Sequence, residues 1–210
     1  MKITSTDKDA IFEVIKTYFS GSYEDVDDVF DDFSLYELGF QLWSGATKFC
    51  IYHENFDNFV VKVTSKTEAF DWCEREYTNY LAAVERGLGE FFPYTDFLGE
   101  FGDTKFFIQE YCECDEDSVF SILYSKVEED YPRDENESDA EYQESIYQSV
   151  DDLEDDMRVV YIFGLNEELL DFLGDYCIND LHSGNFGWLE GHYVIIDFSG
   201  YGLRAQYREF

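Results

Sequence analysis

The chain has two prolines in 210 residues. Disordered and linker-like chains are enriched in proline and low in hydrophobicity, so this is not a linker. Basic residues are also scarce: 14 Lys and Arg stand against 48 Asp and Glu, for a formal net charge of −34. Nucleic-acid binding relies on Lys and Arg neutralising phosphates, so direct nucleic-acid binding is not expected. The five cysteines, Cys50, Cys73, Cys112, Cys114 and Cys177, are odd in number and form no Cys-x-x-Cys. That excludes a disulfide framework and a zinc site. Cys112-x-Cys114 reads as alternating strand positions, and reduced cytoplasmic thiols are the default. None of His53, His182 and His192 sits in a metal-ligand pair. There is no Gly-x-Ser-x-Gly elbow. Asp25, Asp27 and Asp28 lack the glycine and spacing of a calcium loop. No apolar run approaches the ~20 residues of a membrane helix, and Met1–Asp7 has no apolar signal core. A soluble cytoplasmic protein, away from the membrane, is expected.

What is present is apolar and aromatic. Hydrophobic residues make up 45% of the chain and aromatics 20%, with 21 Phe and 17 Tyr. Acidic disordered chains are poor in aromatics, so this one buries a core. Its length fits one domain with room for two lobes. The acidity has two readings. One is solubility in a crowded or salty cell. The other is an acidic face that captures or inhibits a basic, nucleic-acid-binding protein, by DNA mimicry for example.

Residues 7–32 read as helical: Ile11, Phe12, Val14, Ile15, Tyr18 and Phe19 recur at helical spacing, Gly21-Ser22 breaks the pattern, and Val26, Val29, Phe30 and Phe33 suggest a second short helix. From Leu35 to Val63 the pattern turns to strands, notably Phe49–Tyr52 and Asn58–Val63 with a turn at Glu54–Asn58. A helix is expected over Lys66–Arg86, ended by Gly87 and Gly89. Two further strands follow, Tyr94–Gly99 and Lys105–Tyr111. Residues 113–157 are dense in acids, with Lys126 and Arg133 among them, and their scattered apolar residues imply helices with one buried stripe. Tyr131–Ser138 reads as an exposed loop, and Met157–Tyr176 as a buried helix broken near Gly164.

The most specific stretch is Ile178-Asn179-Asp180-Leu181-His182-Ser183-Gly184-Asn185-Phe186-Gly187, followed by Val194-Ile195-Ile196-Asp197-Phe198-Ser199-Gly200. An Asp, an Asn five residues on and a second Asp after an apolar strand are what Mg²⁺-assisted phosphoryl transfer needs. The bland alternative is an Asn/Asp/Gly-rich turn. The stretch resembles the catalytic and metal-binding loops of the protein-kinase-like superfamily. Its Asp-Leu-His-x-Gly-Asn form is closest to aminoglycoside-phosphotransferase-like and small bacterial or phage kinase-like proteins. Ile178-Asn179 stands where protein kinases carry His-Arg. The resemblance implies Asp180 as catalytic base, Asn185 and Asp197 as metal ligands, His182 as a structural member of the loop, and ATP with Mg²⁺ as cofactors.

Lys62, in Val60-Val61-Lys62-Val63, stands like the kinase lysine that contacts nucleotide phosphates and pairs with a helix glutamate. The alternative is a Lys on a solvent face. Glu76 and Glu74 both lie on the following helix, and Glu76 is preferred because it sits beside the aromatic stripe. Gly45, Ala46 and Thr47 are the candidate phosphate-covering turn, with Lys48 adding charge, though a plain hairpin turn fits as well. Gln109-Glu110-Tyr111 holds the hinge position, so Glu110 and Tyr111 are assigned to the adenine edge by position alone.

The resemblance covers roughly residues 35–200. It implies an α+β, protein-kinase-like two-lobe fold: a helical segment at 1–34, an N-lobe with an antiparallel sheet at 35–112, and a reduced, mainly helical C-lobe at 113–210 carrying an acidic insertion. Only Tyr201–Phe210 follow the metal-loop glycine, with no activation segment and no Ala-Pro-Glu. The N-terminal helices are candidates to cover part of the missing C-lobe. The expected function is an ATP-dependent, Mg²⁺-requiring phosphotransferase acting on a hydroxyl. The competing expectation is a weak or inactive kinase-like protein whose acidic surface binds a basic partner, which a small phage or mobile-element origin would suit.

Overall fold

The computed structural model describes residues 3–19, 37–45, 47–65, 68, 70–131, 133 and 138–200. The chain divides into two compact units, Met1–Tyr111 and Cys112–Phe210, and its class is α+β.

The first unit is built on a five-stranded antiparallel sheet. Its strands are β1 (Phe40–Ser44), β2 (Lys48–His53), β3 (Phe59–Thr64), β4 (Thr95–Phe101) and β5 (Thr104–Glu110), in the order β1-β2-β3-β5-β4. The expected turn after β2 is a 3₁₀ turn at Glu54–Phe56, where His53 Nδ1 accepts the N–H of Asn55 at 3.0 Å. The other ring nitrogen of His53 faces Leu38 O at 3.1 Å, so this buried histidine is a satisfied core residue.

Every residue of β3 but the last is buried, so both sheet faces are covered. Alternation sends Val61 and Val63 to one face and Lys62 to the other. On the first face Val61, Val63, Ile51, Phe106 and Ile108 form one core cluster with Ile11 and Ile15 of helix α1 (Ser5–Phe19). The apolar stripe of α1 is therefore used on the sheet of its own unit. The second helix expected around Val26–Phe33 lies outside the described residues.

Helix α2 (Trp72–Glu85) packs on the other face, with the Tyr77 and Phe107 rings 5.8 Å apart. It begins six residues later than the periodicity suggested because Asp71 caps it. The Asp71 carboxylate accepts Glu74 N–H at 3.0 Å and the Thr64 hydroxyl at 2.8 Å. Thr64 in turn accepts Cys73 N–H at 2.9 Å. At its end Gly87, at φ +79°, lets Leu88 N–H return to Ala83 O and Gly87 N–H to Val84 O, a Schellman close.

The second unit carries α3 (Glu116–Asp130), α4 (Asp139–Asp151), α5 (Asp155–Phe163), α6 (Glu167–Asp175) and the hairpin β6 (Phe186–Leu189) with β7 (His192–Ile195). Val119, Leu123 and Val127 of α3 and Ile146 and Val150 of α4 are the buried stripe in the acidic segment. The expected break in the later helix occurs at Gly164, at φ +80°, and Asn166 caps the next helix through Leu169 N–H at 3.0 Å. The β6–β7 turn has Glu190 and Gly191 at φ +47° and +96°, the left-handed pair that suits the strand twist. Most of the loop expected at Tyr131–Ser138 lies outside the described residues. Among those described, no helix is long and apolar enough to cross a membrane.

Candidate functional site

Lys62 lies at the centre of β3, on the sheet face that α2 covers. Its Nζ donates to both oxygens of Glu76, at 3.0 and 3.1 Å. Glu76 is fully buried, and Lys62 is 6% exposed. The alternative partner, Glu74, points elsewhere and accepts from Lys105 at 2.7 Å. The difference follows from the helix: Glu76 shares a face with the buried Trp72, Cys73 and Asn79, whereas Glu74 is exposed. Lys48 of β2, 5% exposed, also reaches Glu76, at 3.6 Å. Two ammoniums thus converge on one carboxylate in a buried setting, where such charges interact strongly. Cys73 adds no charge there, because burial pushes its thiol far above the usual range, outweighing the nearby lysines.

The other first-unit assignments fare differently. Gly45 N–H is engaged by Lys48 O at 2.8 Å, and Thr47 is buried, with its carbonyl accepting Ser65 N–H. Gly45 therefore serves its own hairpin and does not offer that N–H to a phosphate. Ala46 lies outside the described residues. Glu110 N–H goes to Tyr94 O and Tyr111 N–H to Asn58 O, both at 2.8 Å. Neither N–H is left to read an adenine edge.

The second unit holds Asp180, Asn185 and Asp197. Asp180 is exposed and sits at φ +76°, a left-handed conformation uncommon outside glycine. Such strain persists only where the surroundings hold it, and here they are identifiable. The Asp155 carboxylate, in the first turn of α5, accepts Asp180 N–H at 2.8 Å and Leu181 N–H at 3.0 Å. Asn185 Nδ2 donates to Asp180 O at 2.5 Å. The Arg158 guanidinium donates to Leu181 O at 3.4 Å, and also to Val150 O and Asp151 O at the end of α4. His182 Nδ1 accepts Gly184 N–H at 3.1 Å, which makes it a turn former.

Asp197 follows β7 by two residues and is half-buried. Its Oδ1 accepts the Ser199 hydroxyl at 3.2 Å. Gly200, at φ +83°, closes this loop, and a Cβ there would lie 2.7 Å from the Tyr176 carbonyl oxygen. Glycine is required on both counts.

Asp155 and Arg158 are functional candidates that sequence reasoning missed. One Asp in a run that reads Glu154-Asp155-Asp156 carries no mark, and its targets lie 25 residues downstream. Its place in the first turn of a helix that ends at a glycine was the only available signal.

Asn185 and Asp197 each offer an oxygen of the kind Mg²⁺ takes. Asn185 spends its amide N–H on Asp180 O, which leaves a carbonyl-type oxygen, and Asp197 supplies a carboxylate. Mg²⁺ takes oxygen donors and is usually held by one or two protein carboxylates together with substrate phosphates and water. Among the described residues, no three His, Cys, Asp or Glu side chains gather to hold a metal without such help.

No family model matches the chain, and no curated protein matches it.

Proposed function

We propose that the chain is a kinase-like phosphotransferase that moves the γ-phosphoryl group of ATP to a hydroxyl acceptor. The observation that carries this reading is the buried Lys62–Glu76 pair, with the lysine on the third strand and the glutamate on the helix that follows. That is the arrangement the kinase-like resemblance implies, and it joins residues 14 positions apart. Support also comes from the antiparallel sheet with a helix between its third and fourth strands. The restrained loop around Asp180 supports it independently.

Mg²⁺-ATP, when bound, supplies the transferable phosphoryl group and neutralises its charge. Lys62 would hold the phosphates, with Glu76 fixing the position of its Nζ. Asn185 and Asp197 are the residues that would hold the metal. Asp180 accepts the proton of the attacking hydroxyl at its carboxylate, a role suited to an exposed side chain on a fixed backbone.

The test is thermal. A ligand that binds only the folded state raises the melting temperature. Mg²⁺-ATP at millimolar concentration is expected to raise Tm for the wild type and not for Asp197→Ala. Transfer of labelled γ-phosphate to an acceptor or to water should then fall about 10²–10⁴-fold in Asp180→Asn. No wild-type shift, or full activity in Asp180→Asn, overturns the assignment.

A further inference from the structure

The acidic segment is more than a solvated surface. Helices α3 and α4 meet through an apolar stripe, but at its rim they place three aromatic rings together. Phe120 and Tyr147 stack, with centroids 5.5 Å apart and planes 20° apart. Tyr124 lies 5.2 Å from Tyr147 and 6.5 Å from Phe120. Tyr147 is 53% exposed, so much of its surface is open to solvent.

The rings are framed by carboxylates. Asp117 precedes Phe120 by three positions, Glu128 follows Tyr124 by four, and Glu144 and Asp151 flank Tyr147 by three and four. At those spacings side chains share a helix face. All four acids are exposed, and none forms an ion pair among the described residues. Burial and then the Glu128 charge push the Tyr124 phenol up, so that ring feels the negative field and stays neutral.

The protein itself shows what such a surface receives. A short way along the same unit, Arg133 lies over the Tyr142 ring, 5.3 Å from its centroid, and pairs with Asp139. Ring below and carboxylate beside is the combination that holds a guanidinium, by cation–π attraction and charge-assisted hydrogen bonding together. Asp117, Glu128, Glu144 and Asp151 offer the same combination around the Phe120–Tyr124–Tyr147 cluster, and among the described residues no cation lies over these rings.

We infer that the aromatic rim of α3 and α4 is a docking surface for an arginine-rich segment of a partner protein. Charge complementarity selects the occupant. The chain carries −34, so its field draws in basic segments over a Debye length. The exposed ring then favours arginine over lysine, because a planar, weakly hydrated guanidinium stacks where an ammonium does not. The surface does not depend on the nucleotide reading and stands if that reading falls.

The experiment measures the affinity of the full chain for an octa-arginine peptide and an octa-lysine peptide by calorimetry at about 0.15 M salt. Arginine peptide is expected to bind more tightly than lysine peptide of equal charge. Tyr147→Leu, which keeps bulk and removes the ring, should weaken arginine binding by about tenfold and bring the two peptides level. Glu144→Gln with Asp151→Asn should weaken both. The same loss of charge on the β4–β5 hairpin, Glu100→Gln with Asp103→Asn, should leave affinity unchanged. Unchanged Tm and near-ultraviolet dichroism certify the fold of each variant, and Phe120→Leu repeats the test should Tyr147→Leu fail to fold. Three results overturn the proposal: no binding by the wild type, equal binding of the two peptides, or equal losses from the rim and hairpin charge variants. The last means polyelectrolyte attraction only.

Discussion

The two units hold their candidate functional charges in opposite ways. In the first, Lys48, Lys62 and Glu76 are almost fully buried and fixed by one another. In the second, Asp180 is exposed, and what is fixed is the backbone beneath it, by Asp155, Asn185 and Arg158. Buried charges are costly to desolvate, so they must be paired to persist, and the pairing then becomes part of folding. An exposed carboxylate costs little to keep, so its precision has to come from the chain that carries it. The first unit therefore stakes stability on its side chains, and the second stakes conformation on its loops.

The sharpest way to break this contrast is Glu76→Ala. It removes the carboxylate that two buried ammoniums share, and removal of one partner from a buried pair costs about 3–5 kcal/mol. Urea denaturation of the variant should show that loss. A change below about 1 kcal/mol would mean the lysines find water, and the buried half of the comparison would fail. Asp180→Asn is its counterpart. Transfer activity should fall about 10²–10⁴-fold while Tm stays within error, because among the described residues the hydrogen bonds of residue 180 run through its N–H and carbonyl. A large drop in Tm would show that the side chain is structural after all.

Two glycine exchanges probe the conformational half with opposite signs. Gly200→Ala forces a Cβ against the Tyr176 carbonyl at a positive φ and should destabilise by about 1–3 kcal/mol. Asp180→Gly relieves a positive φ and should stabilise by about 1 kcal/mol while abolishing activity. Equilibrium unfolding of the pair is the check, and a destabilised Asp180→Gly would mean the loop carries no strain.

The smallest effect concerns the docking of α1 and tests pairing at a half-exposed site. Asp96 of β4 is partly desolvated, which raises its pKa, but hydrogen bonds from Lys8 and Tyr94 and the Lys8 charge outweigh this and lower it overall. A lowered folded-state pKa gives stability that is present above the ordinary Asp range and is lost as pH falls through the folded value. Wild type should thus exceed Asp96→Asn in Tm at neutral pH, by a modest margin given the exposure. The difference should begin to shrink below about pH 4 and close only below the lowered folded-state pKa. Parallel curves down to pH 2 would rule out this linkage.

Much of the fold was legible because its signals are local. Val60-Val61-Lys62-Val63 reads as a strand, and it is the buried β3. Gly164 reads as a helix break and is one. The choice of Glu76 over Glu74 followed from the position of the aromatic stripe and matches the pairing found. What was not legible depends on distant contacts. Periodicity showed that Ile11 and Ile15 face something apolar, but not that it is a sheet face. The turn at Gly45 has the composition of a phosphate loop and of a hairpin alike, and its hydrogen bond to Lys48 accounts for the Gly45 N–H alone. Asp155 could not be told from its acidic neighbours, since its role is defined by two amides far along the chain.

Arg158 gives the second unit a shared fastening. One guanidinium holds the last carbonyls of α4 and the carbonyl of Leu181, one residue after Asp180. A helix end and a loop gripped by the same group cannot be displaced independently. Any ligand whose affinity depends on where α4 ends also senses where Leu181 lies, and by thermodynamic reciprocity a ligand that settles the loop must change the affinity at the helix by the same factor.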